Sequence, residues 1–181
     1  LVAHFSGDGP RVMLFTHMDQ LGFIVRKIEA NGLIRLERLG GVPERALAAQ
    51  DVLICVSKDR DIPGVIANKS HHATTALEKY QVTPYPDLYV DTGFSSAAEV
   101  EAAGILIGTP VVYTPQAKTL HDDFICGTSV DDRAGCAVLL EIARLLKNRI
   151  SGPPVDLAFT VLEEFNLRGA LPLAQSLLPD I

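Results

Sequence analysis

From about Lys27 to Thr119 every apolar run is short and is broken by Gly, Pro or Asn, and this punctuation decides what the middle of the chain can become. Short β-prone runs at residues 33–39, 52–56, 64–67, 88–91 and 111–114 predict a small β-rich module. One helix is expected within it. Ser96-Ala97-Ala98-Glu99 has the spacing of a capping box, Ala-rich sequence follows, and Gly104 stands where a C′ glycine ends a helix.

The flanks read differently. Residues 11–15 are apolar and β-prone, Thr16-His17-Met18-Asp19 follows, and residues 22–28 are rich in Ile, Val and Phe. Beyond Gly127 a helix is expected over 132–147, with Ala137, Leu140, Ile142, Leu145 and Leu146 near helical spacing. A largely apolar strand over 155–162 and a helix over 169–178 come next. Such alternation predicts an α/β layer. Residues 1–26 and 120–181 are therefore expected to form one discontinuous α/β domain, with residues 27–119 inserted as a separate β-rich domain.

A chain of 181 residues is enough for one ordinary domain or two small ones. With 48% hydrophobic and 21% charged residues it is globular in composition, and the absence of Trp makes the core aliphatic. Sixteen Lys and Arg against 22 Asp and Glu give a net charge of −6 with no basic cluster, which disfavours nucleic acid as a partner. No apolar run approaches the roughly 20 residues that span a bilayer, so no membrane association is expected. Cys55, Cys126 and Cys136 are odd in number and widely spaced, without a CxxC, which argues against a disulfide scaffold and a thiolate zinc site; a cytoplasmic protein is expected. The chain opens at Leu1 without an initiator Met and stops just after an expected helix, so it reads as a fragment.

Three constellations place ionisable residues at strand ends, where open α/β sheets carry their sites. The first is His17-x-Asp19: an imidazole suits borderline metals, and a carboxylate two residues on can orient it. A loop His beside a loop Asp is the plain alternative. The second is Ser129-Val130-Asp131-Asp132-Arg133-Ala134-Gly135-Cys136, opening the long helix. Acidic residues there also serve as N-caps and complement the helix dipole, but a carboxylate pair followed by Arg and small residues suits a metal-bridging carboxylate. The third is Glu163-Glu164 in Val161-Leu162-Glu163-Glu164-Phe165-Asn166-Leu167-Arg168-Gly169-Ala170. Adjacent glutamates at the end of an apolar strand are costly unless a cation or proton is shared, although two solvated loop glutamates have the same sequence.

In this order the three motifs resemble the cocatalytic metallo-aminopeptidases that include the glutamyl and tetrahedral aminopeptidases. The resemblance extends to Thr16-His17-Met18-Asp19-Gln20-Leu21-Gly22-Phe23, Gly64-Val65-Ile66-Ala67, and Asp91-Thr92-Gly93-Phe94-Ser95-Ser96 leading into Gly104-Ile105-Leu106-Ile107-Gly108. It implies an α/β/α zinc-peptidase-like catalytic domain, incomplete here, with an inserted β-barrel-like domain that mediates assembly from dimers up to a dodecamer. It implies two divalent metal ions, zinc or cobalt with manganese as a further possibility, and removal of N-terminal residues from short peptides. Carried over, His17 and Glu164 are metal ligands, Asp131 is the bridging carboxylate, Asp19 orients His17, and Glu163 is the general base. The family supplies a further Asp and a further His beyond the length of this sequence, which leaves each metal one protein ligand short. It also has a helical region ahead of the first motif.

Other features read more plainly. His71-His72 suit a loop or a substrate channel, since adjacent strand residues face opposite ways. His121-Asp122-Asp123 reads as a loop, and Cys136 as a small residue packing beneath the site. A non-catalytic assembly subunit is the alternative function. Hydrolysis of an N-acyl amide or a glycoside ranks last, because adjacent carboxylates do not straddle a glycosidic bond at the roughly 5–10 Å that reaction requires.

Overall fold

A computed structural model describes residues 1–181 and divides them into two compact units, Leu1–Gln20 with Ala117–Ile181, and Leu21–Gln116. The chain begins with β1 (Val2–Phe5) and β2 (Val12–His17) in the first unit. It then builds the second unit from β3 (Gly22–Ile28), β4 (Ile34–Leu39), β5 (Asp51–Ser57), β6 (Arg60–Ala67), β7 (Tyr89–Asp91), the helix α1 (Ala97–Ala102) and β8 (Pro110–Tyr113). It returns to the first unit with β9 (Ala117–Leu120), β10 (Phe124–Gly127), α2 (Val130–Leu146), β11 (Val155–Thr160) and α3 (Ala170–Leu177). The fold is α/β with an inserted barrel. No helix is long and apolar enough to cross a membrane.

In the second unit six strands close a barrel in the order β3-β4-β7-β6-β5-β8. Alternation puts one face of each strand inward, and Val25, Ile34, Val52, Ile54, Val90 and Val111 are fully buried there. Residues 22–26 were expected in the α/β layer, but β3 pairs with β4 and β8, so the chain enters the barrel directly after Gln20. The helix α1 starts as expected: the Ser96 hydroxyl accepts from the Glu99 N–H at 3.3 Å, while the Glu99 carboxylate accepts from the Ser95 N–H at 2.8 Å.

The first unit centres on β11, all six of whose residues are buried. It is the middle strand of three, antiparallel to β1 and parallel to β2. Val155, Leu157 and Phe159 pack against Leu139 of α2, with Cys136, Ile142, Ala143 and Leu146 around them. This stripe differs in phase from the expected one, because Leu140 and Leu145 are exposed. Apolar residues lie on several sides of α2, and contact with β11 selects the 139–142–146 side. Three β-strands went unpredicted: β1, and β9 with β10, which form a hairpin whose turn is His121-Asp122-Asp123. In the parallel pair of β2 and β11, His17 stands opposite Thr160, so both strands end at the same level.

Candidate metal centre

That shared strand end is where three separate stretches of chain converge. Thr16 and His17, the last residues of β2, are buried at 2% and 7% exposure. The Met18 N–H donates to the Thr160 carbonyl at 2.9 Å, and the Thr160 hydroxyl donates to the Thr16 carbonyl at 2.9 Å, which clamps the two strand ends together. The chain then turns, and Asp19 faces back toward His17.

Asp19 has two partners besides the imidazole. Its carboxylate accepts the backbone N–H of Glu163 and of Glu164, each at 3.3 Å, so it holds the turn that carries both glutamates. Its main-chain carbonyl lies 3.1 Å from His17 Nδ1, and a carboxylate oxygen lies 3.6 Å away. With Nδ1 facing Asp19, Nε2 faces Asp131 at 3.1 Å and Glu163 at 3.7 Å. This is how a ligating histidine is usually held, one nitrogen fixed by an acceptor and the other free for the ion.

The glutamates follow β11 on a single 3-10 turn, Glu163–Phe165, flanked by residues in the left-handed region: Leu162 at φ 61°, Asn166 at 65° and Leu167 at 57°. That backbone is unfavourable for leucine, and such outliers cluster where a side chain must be aimed. The Leu167 N–H donates to the Glu163 carbonyl and the Arg168 N–H to the Leu162 carbonyl, both at 3.0 Å.

Asp131 and Asp132 occupy the entry to α2, where their backbone is non-helical and the peptide between them is cis. The regular helix starts only after them. The Asp131 side chain is 90% exposed, yet it meets His17 Nε2. Asp132 instead accepts the His17 N–H at 3.3 Å and caps the helix through the Gly135 N–H at 3.0 Å. The acidic pair therefore divides: Asp132 is an N-cap, and Asp131 faces His17.

The electrostatics follow from carboxylates crowding one imidazole. Burial works against a charged His17, but hydrogen bonds to Asp131 and to the Asp19 carbonyl, with the charges of Glu163 and Asp19, outweigh it and raise its pKa. Burial, then the neighbouring Glu163 charge, raises that of Glu164. The Thr16 hydroxyl first, then the N–H groups of His17 and Gly135, hold Asp132 below the usual carboxylate range. One ligand atom each from His17, Glu163 and Glu164 lie within 4.8 Å of one another. Imidazole nitrogen with carboxylate oxygen, in a negatively charged and partly buried setting, is a donor set that fits a divalent transition metal.

Sequence reading singled out His17, Asp19, Asp131, Glu163 and Glu164; in the structure Asp19 lies beside Nδ1 of His17, and Asp131 and Glu163 lie beside Nε2. The fold brings Asp131 to His17 but not into the tight group formed by His17, Glu163 and Glu164. His71 and His72 lie apart, in the second unit, exposed on a 3-10 turn with their rings edge to face. A cavity of about 530 Å³ is also in that unit; Lys69 and Glu78 on its wall pair at 3.2 Å. The sequence reading missed Thr16, which bonds Asp132, and Gln20, whose side-chain carbonyl accepts from the Ser129 hydroxyl. Hydroxyls and amides carry no spacing signature, so only the fold reveals such contacts.

Comparison with known proteins points to one family. The model of the M42 glutamyl aminopeptidase family matches residues 1–181. The chain is 35% identical over 184 residues to SgcX of Escherichia coli (strain K12), covering all of this chain and 49% of that protein. It is 29% identical to the lysyl aminopeptidase of Pyrococcus furiosus, covering 100% of this chain and 52% of that protein. Among solved structures, the Pyrococcus horikoshii TET1 peptidase, which can assemble into a tetrahedron or a large octahedral shell, superposes with a TM-score of 0.84 at 28% identity over 98% of this chain and 53% of that one. The chain thus spans about half the length of the curated relatives it matches.

Proposed function

Because the chain belongs to the M42 glutamyl aminopeptidase family, we propose that it carries the metal- and proton-handling residues of an aminopeptidase that removes N-terminal amino acids from short peptides. The observation that supports this most is the gathering of His17, Glu163 and Glu164 within 4.8 Å, with Asp131 3.1 Å from the same imidazole. His17, Asp131 and Glu164 would hold two divalent ions, zinc, cobalt or manganese. Such ions lower the pKa of a water, polarise the scissile carbonyl and attract the free α-amine.

The chain's own residues do the rest. Glu163 takes a proton from the attacking water and returns it to the departing amine, a role for a carboxylate crowded by a second glutamate and close to the reacting centre. Asp19 fixes the His17 ring and, through two backbone N–H groups, the turn on which Glu163 and Glu164 stand. Likeness alone does not dictate side-chain preference, since the family is named for a glutamyl aminopeptidase and a lysyl aminopeptidase is 29% identical to this chain. A homo-oligomer built through the barrel unit follows by analogy with the TET1 assemblies. Three free thiols suit a reducing compartment, the cytoplasm.

The test is release of free amino acid from aminoacyl anilides and short peptides, with zinc, cobalt or manganese returned after chelation. Metal-dependent release from the free N-terminus is expected. Glu163→Gln should abolish turnover while retaining the metal, and a Glu163→Gln protein that turns over normally would remove Glu163 from the role of base. Folded protein that binds Co²⁺ but releases nothing would overturn the catalytic part of the reading.

A further inference from the structure

The Asp131 carboxylate is 90% exposed where it meets His17 Nε2 at 3.1 Å, so burial does not hold it there. Its position is inherited from the backbone beside it. That backbone is tied to β2 through the adjacent residue: one oxygen of the Asp132 carboxylate accepts both the Thr16 hydroxyl and the His17 N–H, the latter at 3.3 Å. The other oxygen accepts the Gly135 N–H at 3.0 Å. One turn further on, the Cys136 thiol donates to the His17 carbonyl at 3.3 Å.

Both main-chain polar groups of His17 are therefore bonded to the start of α2, and Thr16 is the side chain of β2 that completes the connection. Thr16 is 2% exposed, so its hydroxyl exchanges no partner with water, and hydrogen bonds to a carboxylate are among the strong neutral-to-charged kind. We propose that Thr16 and Asp132 form a latch that sets the spacing between His17 and Asp131, with Thr16 as a positioning residue of the metal centre. This rests on the metal reading of His17 and Asp131 given above. The latch itself is a property of the metal-free chain. It joins residues 116 positions apart, between strand and helix, at the one place where the acidic pair enters α2.

The experiment separates the latch from the metal reading. Thr16→Val removes the hydroxyl and keeps a similar shape, and Thr16→Ser restores the hydroxyl. In the metal-free chain, ¹⁵N NMR of the His17 ring reports the contact of Nε2 with Asp131, and exchange of the His17 amide reports its bond to Asp132. Thr16→Val should move the ring resonance in the direction that Asp131→Asn moves it and speed amide exchange, while Thr16→Ser returns both toward wild type. Titrated with Co²⁺ alone, Thr16→Val should bind roughly ten- to a hundred-fold more weakly, the usual cost of losing a residue that supports a ligand. A Thr16→Val chain whose His17 ring and amide are unmoved overturns the latch. So does a moved ring with wild-type Co²⁺ affinity, since the spacing then does not matter to the metal. A wild-type chain that binds no Co²⁺ overturns the metal reading instead, and the NMR comparison still decides the latch. Should Thr16→Val fail to fold, Asp132→Asn replaces it, with the same ring shift expected and an unmoved ring again overturning the latch.

Discussion

Two neighbouring aspartates at the entry of α2 show how far one residue's environment can depart from the next. Asp132 is spent on hydrogen bonds to Thr16, His17 and Gly135, which stabilise its charged form; Asp131, 90% exposed, meets the His17 ring. Their substitution should separate accordingly. Asp131→Asn removes a charge from a solvated side chain, so stability should change by no more than about 0.5 kcal/mol, as for other surface changes. It should nevertheless lose the metal, because the amide is a poor ligand for an ion that Asp131 would share with His17. Denaturant unfolding and Co²⁺ titration of the same preparation check both halves. Unchanged Co²⁺ binding would remove Asp131 from the ligand set.

Among the elements, the loop from Val161 to Gly169 carries both glutamates, and its two ends touch. A Cβ at Gly169 would overlap the Val161 carbonyl oxygen, a backbone atom that cannot swing aside as a side chain can. Gly169→Ala should therefore displace the loop, at a cost of about 1–3 kcal/mol typical of overpacking, and weaken metal binding together with turnover. Circular dichroism should show α3 retained, and a Gly169→Ala chain with native Co²⁺ affinity would show that the loop's closure is not what aims the glutamates. In the sequence this glycine read only as part of a motif. Its reason, close approach across a loop, is visible only once β11 and α3 are in place. The same limit explains other departures. The run Val138-Leu139-Leu140 is apolar on every side, so periodicity could propose a helix there but not its buried stripe, which β11 selected. β3 looked like a partner for the strand before it, and barrel closure claimed it instead. The strands of the hairpin β9–β10 are exposed almost throughout, and with neither face in a core they show little alternation to read. The strands of the barrel and β11 were legible, because burial writes itself into sequence as apolar runs.

At the scale of the molecule, the candidate centre is assembled from positions distant in sequence: His17 and Asp131 are 114 residues apart, with the whole barrel unit between them. Closing so long a loop is costly in chain entropy, and the pairing of β2 with β11, the packing of α2 and the bonds from Asp132 and Cys136 to Thr16 and His17 hold its ends together. The ligand set therefore exists only while the first unit is folded, and an ion bound there stabilises that unit by mass action. At a free concentration a hundred times its Kd, the gain is about 2.7 kcal/mol. The second unit has its own core of buried aliphatic residues and supplies none of His17, Asp131, Glu163 or Glu164. Removing metal should thus act on one unit and spare the other. In hydrogen exchange after chelation, the amides of β2 and β11 should lose protection by a factor matching the metal's occupancy, and those of β5 and β6 should keep theirs. Returning Co²⁺ or Zn²⁺ should restore the first set, and should fail to do so in Asp131→Asn. Protection lost equally in both units would mean that the ion acts on the chain as a whole. Protection unchanged in both would mean that the carboxylates around His17 hold no ion that matters to the fold.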